Sequence, residues 1–156
     1  MAGAILKCCF VLFLFTKMSA QSLIPMLDTP VIADQVYLDL LNNIYLVDAT
    51  HHQLRKYDAT FHAVQEIDLD RGWDQARMDV SDPFKILLYS AGEYRVYLLD
   101  ANLSKISSFD DADLNQQAGL CYFSSEEIAV FDGRMLKIKN PYSGKELSGA
   151  QLAQEA

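Results

Sequence analysis

The stretch from Asn42 to Asp58 reads NNIYLVDATHHQLRKYD. It contains two β-prone runs, Ile44–Asp48 and Leu54–Asp58, separated by a polar loop, and it therefore predicts a β-hairpin. Another strand-sized run, Asp34–Asp39, precedes the hairpin, and a fourth, Phe61–Ile67, follows it. Because short turns join the four runs, the sequence predicts four consecutive antiparallel strands.

The hairpin pattern recurs at an offset of 42 residues. Ile44–Val47 (IYLV) aligns with Ile86–Tyr89 (ILLY) and with Ile128–Phe131 (IAVF), and in the third copy the turn Asn140–Gly144 comes two residues early, which predicts a shortened loop. A period of about 40–45 residues with four strands per unit is typical of β-propeller blades. The second strands are apolar at consecutive positions, as expected for strands covered on both faces by stacked blades. A β-sandwich is the alternative, but it accounts poorly for the constant offset.

The repeat predicts an all-β fold of about three four-stranded blades in an incomplete ring. The predicted segments are a signal peptide (1–20), an N-terminal linker or strand (21–33), blade 1 (34–75), blade 2 (76–117), a partial blade 3 (118–147) and a tail (148–156). Closed propellers have about four to eight blades, and an open arc leaves two apolar faces uncovered. The chain is therefore a fragment of a longer protein, one half of a homodimer that closes the ring, or a degenerate version. The tail lacks the repeat pattern, which favours the fragment.

The N-terminus has the pattern of a secretory signal. An apolar run of eight residues, Cys8–Phe15, follows Lys7, and the small residues Ser19 and Ala20 come shortly after it. A run this short cannot cross about 30 Å of hydrocarbon as a helix. The pattern predicts cleavage near Ala20 and a secreted or periplasmic protein without a transmembrane segment in its mature chain.

Cleavage would make the protein more acidic and leave it one thiol. Removal of Lys7 and Lys17 leaves 11 basic against 21 acidic side chains, a net charge of −10, which argues against nucleic acid or anionic membranes as partners.

Cys121 would then have no internal disulfide partner. Its apolar surroundings, GLCYF, predict a small buried side chain rather than a nucleophile. His62 is likewise predicted to be a structural residue within a strand.

The first hairpin resembles the NHL-type repeat of six-bladed propellers, whose pattern runs roughly D-x-x-G-N-I-Y-V-x-D, a short loop, and I-x-K-F-D. The matching residues are Asp39, Asn43, Ile44, Tyr45, Leu46, Asp48, Leu54, Lys56, Tyr57 and Asp58, with Asn42 where the family prefers glycine. The segment Asp79–Leu88 (DVSDPFKILL) resembles uncharacterised secreted bacterial propeller proteins, which are usually longer. The resemblance covers roughly Val31 to Leu147. It implies a fold without an activity, because propellers serve as enzymes, binding platforms and scaffolds.

A functional site is expected where loops meet on one face of the blades. In a four-stranded blade, the loop between the second and third strands opens on the same face as the connection to the next blade, and binding residues are common in such loops. The candidate ligand-binding residues on this rim are His51, His52, Asp70, Arg71, Trp73, Asp74, Arg77, Glu93, Tyr94, Asp110, Asp111, Asp113 and Arg134.

Each candidate also has an ordinary structural interpretation. The histidine pair could bind a transition metal and the Asp110–Asp113 turn calcium, but neither has a complete ligand pattern, so no metal or cofactor is predicted. Trp73 could stack on a sugar or a partner's side chain, with packing between blades as the favoured alternative.

The sequence contains no motif that specifies catalysis. G-x-S-x-G, P-loop and G-x-G-x-x-G patterns are absent. The favoured function is an exported, non-enzymatic binding or scaffold module that engages a protein or glycan through the rim. The alternatives are a metal-dependent hydrolase of the lactonase type and a truncated relic without function. The hydrolase needs inner-strand acids that converge on the axis, and only Asp39 and Asp79 interrupt the mostly apolar first strands.

Overall fold

The computed structural model describes residues 32–73, 76–115 and 118–151. The predicted signal peptide and most of the predicted linker lie outside these residues. The described residues form three four-stranded antiparallel sheets, blades 1 to 3. Their strands are β1 (Gln35–Leu38), β2 (Ile44–Asp48), β3 (Gln53–Tyr57), β4 (Ala63–Asp68), β5 (Ala76–Asp79), β6 (Lys85–Ser90), β7 (Arg95–Asp100), β8 (Lys105–Asp110), β9 (Gly119–Ser124), β10 (Glu127–Phe131), β11 (Met135–Lys139) and β12 (Glu146–Gln151).

The order of strands in every sheet follows the order of the chain, which confirms the all-β fold with propeller-type blades. The central hairpins also confirm the predicted shortening in the third copy. Val47 pairs with Leu54 in blade 1, whereas Phe131 pairs with Leu136 in blade 3. The loop of blade 3 is therefore two residues shorter.

The third blade extends beyond its predicted end at Leu147. Its fourth strand, β12, runs to Gln151, and Ser148 pairs with Ile138 of β11. The residues predicted to begin a separate tail thus complete the sheet. The sequence of β12, ELSGAQ, has no apolar alternation from which a strand could be predicted. All six residues are exposed, and pairing with β11 holds the strand in place.

The hydrophobic core consists of two clusters, one at each junction between blades. In β6, Ile86 and Leu88 belong to the cluster between blades 1 and 2, while Leu87 and Tyr89 belong to the cluster between blades 2 and 3. The middle strands are thus buried on both faces, which explains their consecutive apolar residues.

A recurring turn joins the third and fourth strands of each blade. In blade 1, Asp58 Oδ1 accepts hydrogen bonds from the backbone N–H groups of Thr60 and His62, and Asp100 accepts the equivalent bonds in blade 2. In blade 3, Asn140 Oδ1 accepts from the backbone N–H groups of Tyr142 and Ser143. Side-chain acceptors of this kind stabilise turns. His62 was predicted to lie in a strand, but it is an exposed residue of this turn, and β4 begins only after it.

Candidate functional site

The central hairpin loops and the connections between blades meet on one face of the molecule. Leu69, which follows blade 1, donates a backbone hydrogen bond of 2.6 Å to the carbonyl of His52, and Asp111, which follows blade 2, makes the same 2.6 Å bond to Tyr94. We refer to the described residues 49–52, 69–73, 91–94, 111–115 and 132–134 as the loop rim. Asp74, one of the predicted site residues, lies outside the described residues.

The tips of the first two hairpins share an uncommon backbone conformation. His52 and Tyr94 both have a φ of 54°, in the left-handed region that few residues other than glycine adopt. Next to His52, His51 Nδ1 lies 2.7 Å from Asp48 Oδ2, and its backbone N–H donates to Asp48 Oδ1. The backbone hydrogen bond from His51 is the main cause that lowers the pKa of Asp48. His51 is therefore anchored to its own strand.

Trp73 belongs to the connection in the rim, but its side chain packs in the core, which confirms the favoured interpretation of packing between blades. Its side chain is 1% exposed and stacks on Tyr97 of β7, with ring centroids 4.7 Å apart. The Tyr97 hydroxyl in turn donates a 3.0 Å hydrogen bond to Asp70 Oδ2. Trp73 thus packs between blades 1 and 2 and is not available to stack on a ligand.

Arg77 also lies away from the predicted connection. It belongs to β5, and its Nη1 donates a 3.0 Å hydrogen bond to the carbonyl of Ala118 at the start of blade 3. Arg77 therefore links blades 2 and 3. Its role follows from the sequence only once the strand boundaries are known.

Two of the three carboxylates in the predicted Asp110–Asp113 turn face lysines rather than solvent. Lys139 Nζ lies 2.7 and 2.8 Å from the two carboxylate oxygens of the buried Asp111 and 2.6 Å from Asp113. Lys137 Nζ lies 2.7 Å from the other oxygen of Asp113. The hydrogen bond from Lys137, followed by that from Lys139, lowers the pKa of Asp113, and the same bond raises the pKa of Lys137. These carboxylates join blade 2 to blade 3, and the third, Asp110, forms an exposed 2.7 Å ion pair with Arg95.

The part of the rim that faces solvent carries side chains of both charges. The exposed predicted residues within the loop rim are His51, Asp70, Arg71, Glu93, Tyr94 and Arg134, which we call the exposed rim set. Tyr94 is 50% exposed. Gly72 has a φ of 97°, and a Cβ there would collide with the carboxylate of Glu93, so Glu93 lies over the connection between blades. Arginine and tyrosine are enriched where proteins contact partners.

The described residues contain no group of three His, Cys, Asp or Glu side chains that could hold a metal. The two first-strand acids needed for the hydrolase interpretation already accept hydrogen bonds from the protein. Asp39 Oδ2 accepts from Asn43 Nδ2 at 2.8 Å and from the Tyr45 hydroxyl at 2.9 Å. Asp79 Oδ2 accepts from the backbone N–H of Tyr122 at 2.7 Å, across the junction between blades 2 and 3.

Cys121 was predicted to be buried, but its side chain is exposed. Its neighbours Leu120 and Tyr122 pack in the cluster between blades 2 and 3, so strand alternation turns Cys121 to the other face of blade 3. Partial desolvation, together with the negative charge of Asp79, raises the pKa of the thiol. A thiol with a raised pKa is a poor nucleophile at neutral pH.

Comparison with solved structures supports the fold. The chain resembles BamB from Moraxella catarrhalis (10% identity, TM-score 0.54), a glutaminyl cyclase from Myxococcus xanthus (14%, 0.54) and the Pan2 WD40 domain of Neurospora crassa (12%, 0.55). These matches cover 74%, 76% and 75% of this chain and 35%, 50% and 35% of the respective structures. The chain thus spans a third to a half of their lengths.

No protein-family model and no curated protein sequence matches the chain. Among the residues that the structure describes, no helix is long and apolar enough to cross a bilayer.

Proposed function

We propose that this chain is an exported, non-enzymatic propeller-type module that binds a protein or glycan through the loop rim. The observation that carries the proposal is the exposed rim set, which gathers guanidinium, carboxylate, imidazole and phenol groups from all three blades on one face. Groups of this kind provide hydrogen bonds and aromatic contact to a polar partner.

The support beneath the rim is suited to such a role. The Trp73–Tyr97 stack lies under the first connection between blades, and the Asp111–Lys139 ion pair lies under the second. Loops that a rigid scaffold holds in place can present binding residues in a fixed arrangement. The rim residues therefore need little ordering when a partner binds.

The resemblance to NHL-type repeats is part of the proposal, and the first turn supports it. Asn42, at the position where the family prefers glycine, has a φ of 62°. Glycine adopts this conformation freely, and asparagine tolerates it better than most other residues. The matching residues Asp39, Asn43 and Tyr45 are joined by hydrogen bonds in the same turn.

Export is proposed from the signal-like N-terminus. A positive residue, a short apolar run and small residues near Ala20 follow one another as in a secretory signal.

The structural relatives named above include an enzyme and a WD40 domain. Because the fold serves different functions, the proposal depends on the rim and not on the likeness.

A binding screen with two matched triple variants tests the proposal. The rim variant combines Arg71→Ala, Tyr94→Ala and Arg134→Ala, and the control combines Asn102→Ala, Tyr142→Ala and Lys145→Ala in turns at the opposite ends of the strands. The wild-type chain is probed against a glycan array and a peptide-display library. We expect a ligand whose binding the rim variant loses and the control keeps. A ligand lost equally in both variants, or no ligand in either screen, would contradict the proposal.

Thermal melts with added Ca²⁺ or Zn²⁺ test the non-enzymatic part. A ligand that binds only the folded state raises the melting temperature, and the rise continues with the logarithm of the ligand concentration above Kd. We expect no such concentration-dependent rise with either ion. A rise of this kind with one ion would favour the metal-dependent hydrolase instead.

A further inference from the structure

Blade 1 has an apolar face that no described residue of another blade covers. Val36 and Leu38 of β1 are 65% and 62% exposed, and they pair across the sheet with Leu46 and Ile44. Tyr45 and Val47 point the opposite way, into the cluster between blades 1 and 2. We call the face formed by Val36, Leu38, Ile44 and Leu46 the leading face.

Blade 3 has an uncovered face on the other side. Phe123 of β9 is 64% exposed, and Cys121 of the same strand pairs with Ala129, which pairs with Ile138. The alternate residues Ile128 and Val130 point into the cluster between blades 2 and 3. We call the face formed by Cys121, Phe123, Ala129, Phe131 and Ile138 the trailing face.

The repeat shows what packs on a leading face. Val36 and Leu38 correspond, at the offset of 42 residues, to Met78 and Val80 of blade 2. These are only 7% and 6% exposed, because they lie in the cluster formed with blade 1. The surface that covers the leading face of blade 2 is therefore the trailing face of another blade.

The same comparison shows what packs on a trailing face. Ala129 and Phe131 correspond to Leu87 and Tyr89 of blade 2. Both of those residues are buried in the cluster formed with blade 3. The exposed ends of this chain are therefore the two halves of a junction that the chain already forms twice.

We propose that two copies of this chain close a six-bladed ring, in which the leading face of each copy packs on the trailing face of the other. The longest undescribed segment, residues 1–31, is shorter than one repeat of 42 residues, so another blade must come from a further polypeptide segment. Two copies supply six blades, within the range of about four to eight found in closed propellers. Head-to-tail contacts form a closed ring when the rotations between successive copies add up to a full turn. Two copies joined by two identical junctions meet this condition.

The completeness of blade 3 supports the ring. Because β12 supplies its fourth strand, blade 3 presents a full four-stranded sheet to a neighbour.

Sedimentation velocity on the full chain and three variants tests the ring. Leu38→Asp places a charge on the leading face, and Phe123→Asp places one on the trailing face. Ile106→Asp is the control, because Ile106 is an exposed apolar residue of β8 in the middle blade. We expect the wild-type and control chains to have the mass of two copies at about 10 µM, and both face variants to have the mass of one. All three residues are exposed in a single copy, so circular dichroism melts should show that each variant folds.

The pattern of the results distinguishes the ring from other assemblies. Loss of the dimer in only one face variant would indicate a contact between two like faces and would overturn the proposal. A ladder of higher masses would indicate an open chain, and a monomeric wild type would show that a second copy does not cover the faces. Either result would also overturn it.

Cysteine cross-linking provides a second test of the same junction. Asp79 and Tyr122 are in hydrogen-bond contact between blades 2 and 3, and the corresponding residues at the proposed junction are Cys121 and Leu38 of the second copy. In a chain that also carries Cys8→Ser and Cys9→Ser, Leu38→Cys should form covalent dimers with Cys121 on mild oxidation. The same chain with Ile106→Cys in place of Leu38→Cys is the control. Equal cross-linking in the two chains, or none in either, would contradict the ring.

Discussion

Leu69 and Asp111 occupy the same position in successive blade junctions but stabilise them by different interactions. Each donates a 2.6 Å backbone hydrogen bond to a hairpin tip, Leu69 to His52 and Asp111 to Tyr94. Leu69 lies in an apolar cluster that includes Leu99, whereas Asp111 forms a buried ion pair with Lys139. Lys139 in blade 3 is the counterpart of Leu99 in blade 2. Each is the last residue of its third strand that pairs with the fourth strand, directly after a bulge.

The first prediction concerns the ion pair. Lys139→Met should lower the free energy of unfolding by about 3–5 kcal/mol, because it leaves the buried Asp111 carboxylate without its cation. The double variant Asp111→Leu/Lys139→Leu imitates the apolar first junction and leaves no buried charge unpaired. It should lose much less unfolding free energy. Urea denaturation of the single and double variants measures the difference. A double variant as unstable as the single one would show that an apolar pair does not fit this junction.

The second prediction concerns acid. The hydrogen bonds from Lys137 and Lys139 lower the pKa of Asp113 in the folded state, so the stabilising contribution is complete above the pKa of the unfolded chain. It is lost as the pH falls through the folded pKa, below about 4. Asp113→Asn should therefore be less stable than wild type at neutral pH, and the difference should shrink in acid. Melting temperatures across this range give the comparison, with Asp68→Asn as a control for the lost charge. A difference that does not change with pH would exclude this linkage.

The third prediction concerns the turn after β1. Asn42 has a φ of 62°, which glycine adopts without strain and alanine does not. Asn42→Ala should cost about 1 kcal/mol of unfolding free energy, while Asn42→Gly should stay within about 0.5 kcal/mol of wild type. Chemical denaturation of the two variants and the wild type measures both losses of unfolding free energy. Equal losses would mean that the asparagine side chain, and not the backbone conformation, matters here.

The fourth prediction concerns Asp39 in the same turn. Burial raises the pKa of its carboxyl, but hydrogen bonds from Asn43, Tyr45 and Leu41 outweigh this effect and lower the pKa overall. Asp39→Ala should destabilise the chain by about 2–3 kcal/mol, because it leaves several donors without an acceptor. Tyr45→Phe removes one of those donors and should cost about 1 kcal/mol. Denaturation midpoints measure both losses of stability. A larger loss in Tyr45→Phe than in Asp39→Ala would refute this explanation.

The strands of the repeat were predictable to within about two residues, because local sequence patterns specify hairpins and turns. β2 was predicted with its observed bounds, Ile44–Asp48. β4 begins at Ala63 and not at Phe61, because Phe61 has a φ of 65° within the preceding turn. The candidate site was less predictable. The sequence favoured packing between blades for Trp73, but it did not identify Tyr97 as the partner, and it did not show that Asp111 pairs with Lys139.

The sequence by itself determined the blade: a 42-residue period, four antiparallel strands and middle strands covered on both faces. The strands and turns follow from interactions between residues close together in the chain, and the consecutive apolar residues of the middle strands reflect their burial on both faces, so the amino-acid pattern records these features. The tertiary structure alone decided which side chains meet across the junctions, such as Lys139 with Asp111, and which remain exposed, such as Cys121. Those contacts join residues of different blades, and their partners depend on how whole sheets pack and not on the sequence near either residue.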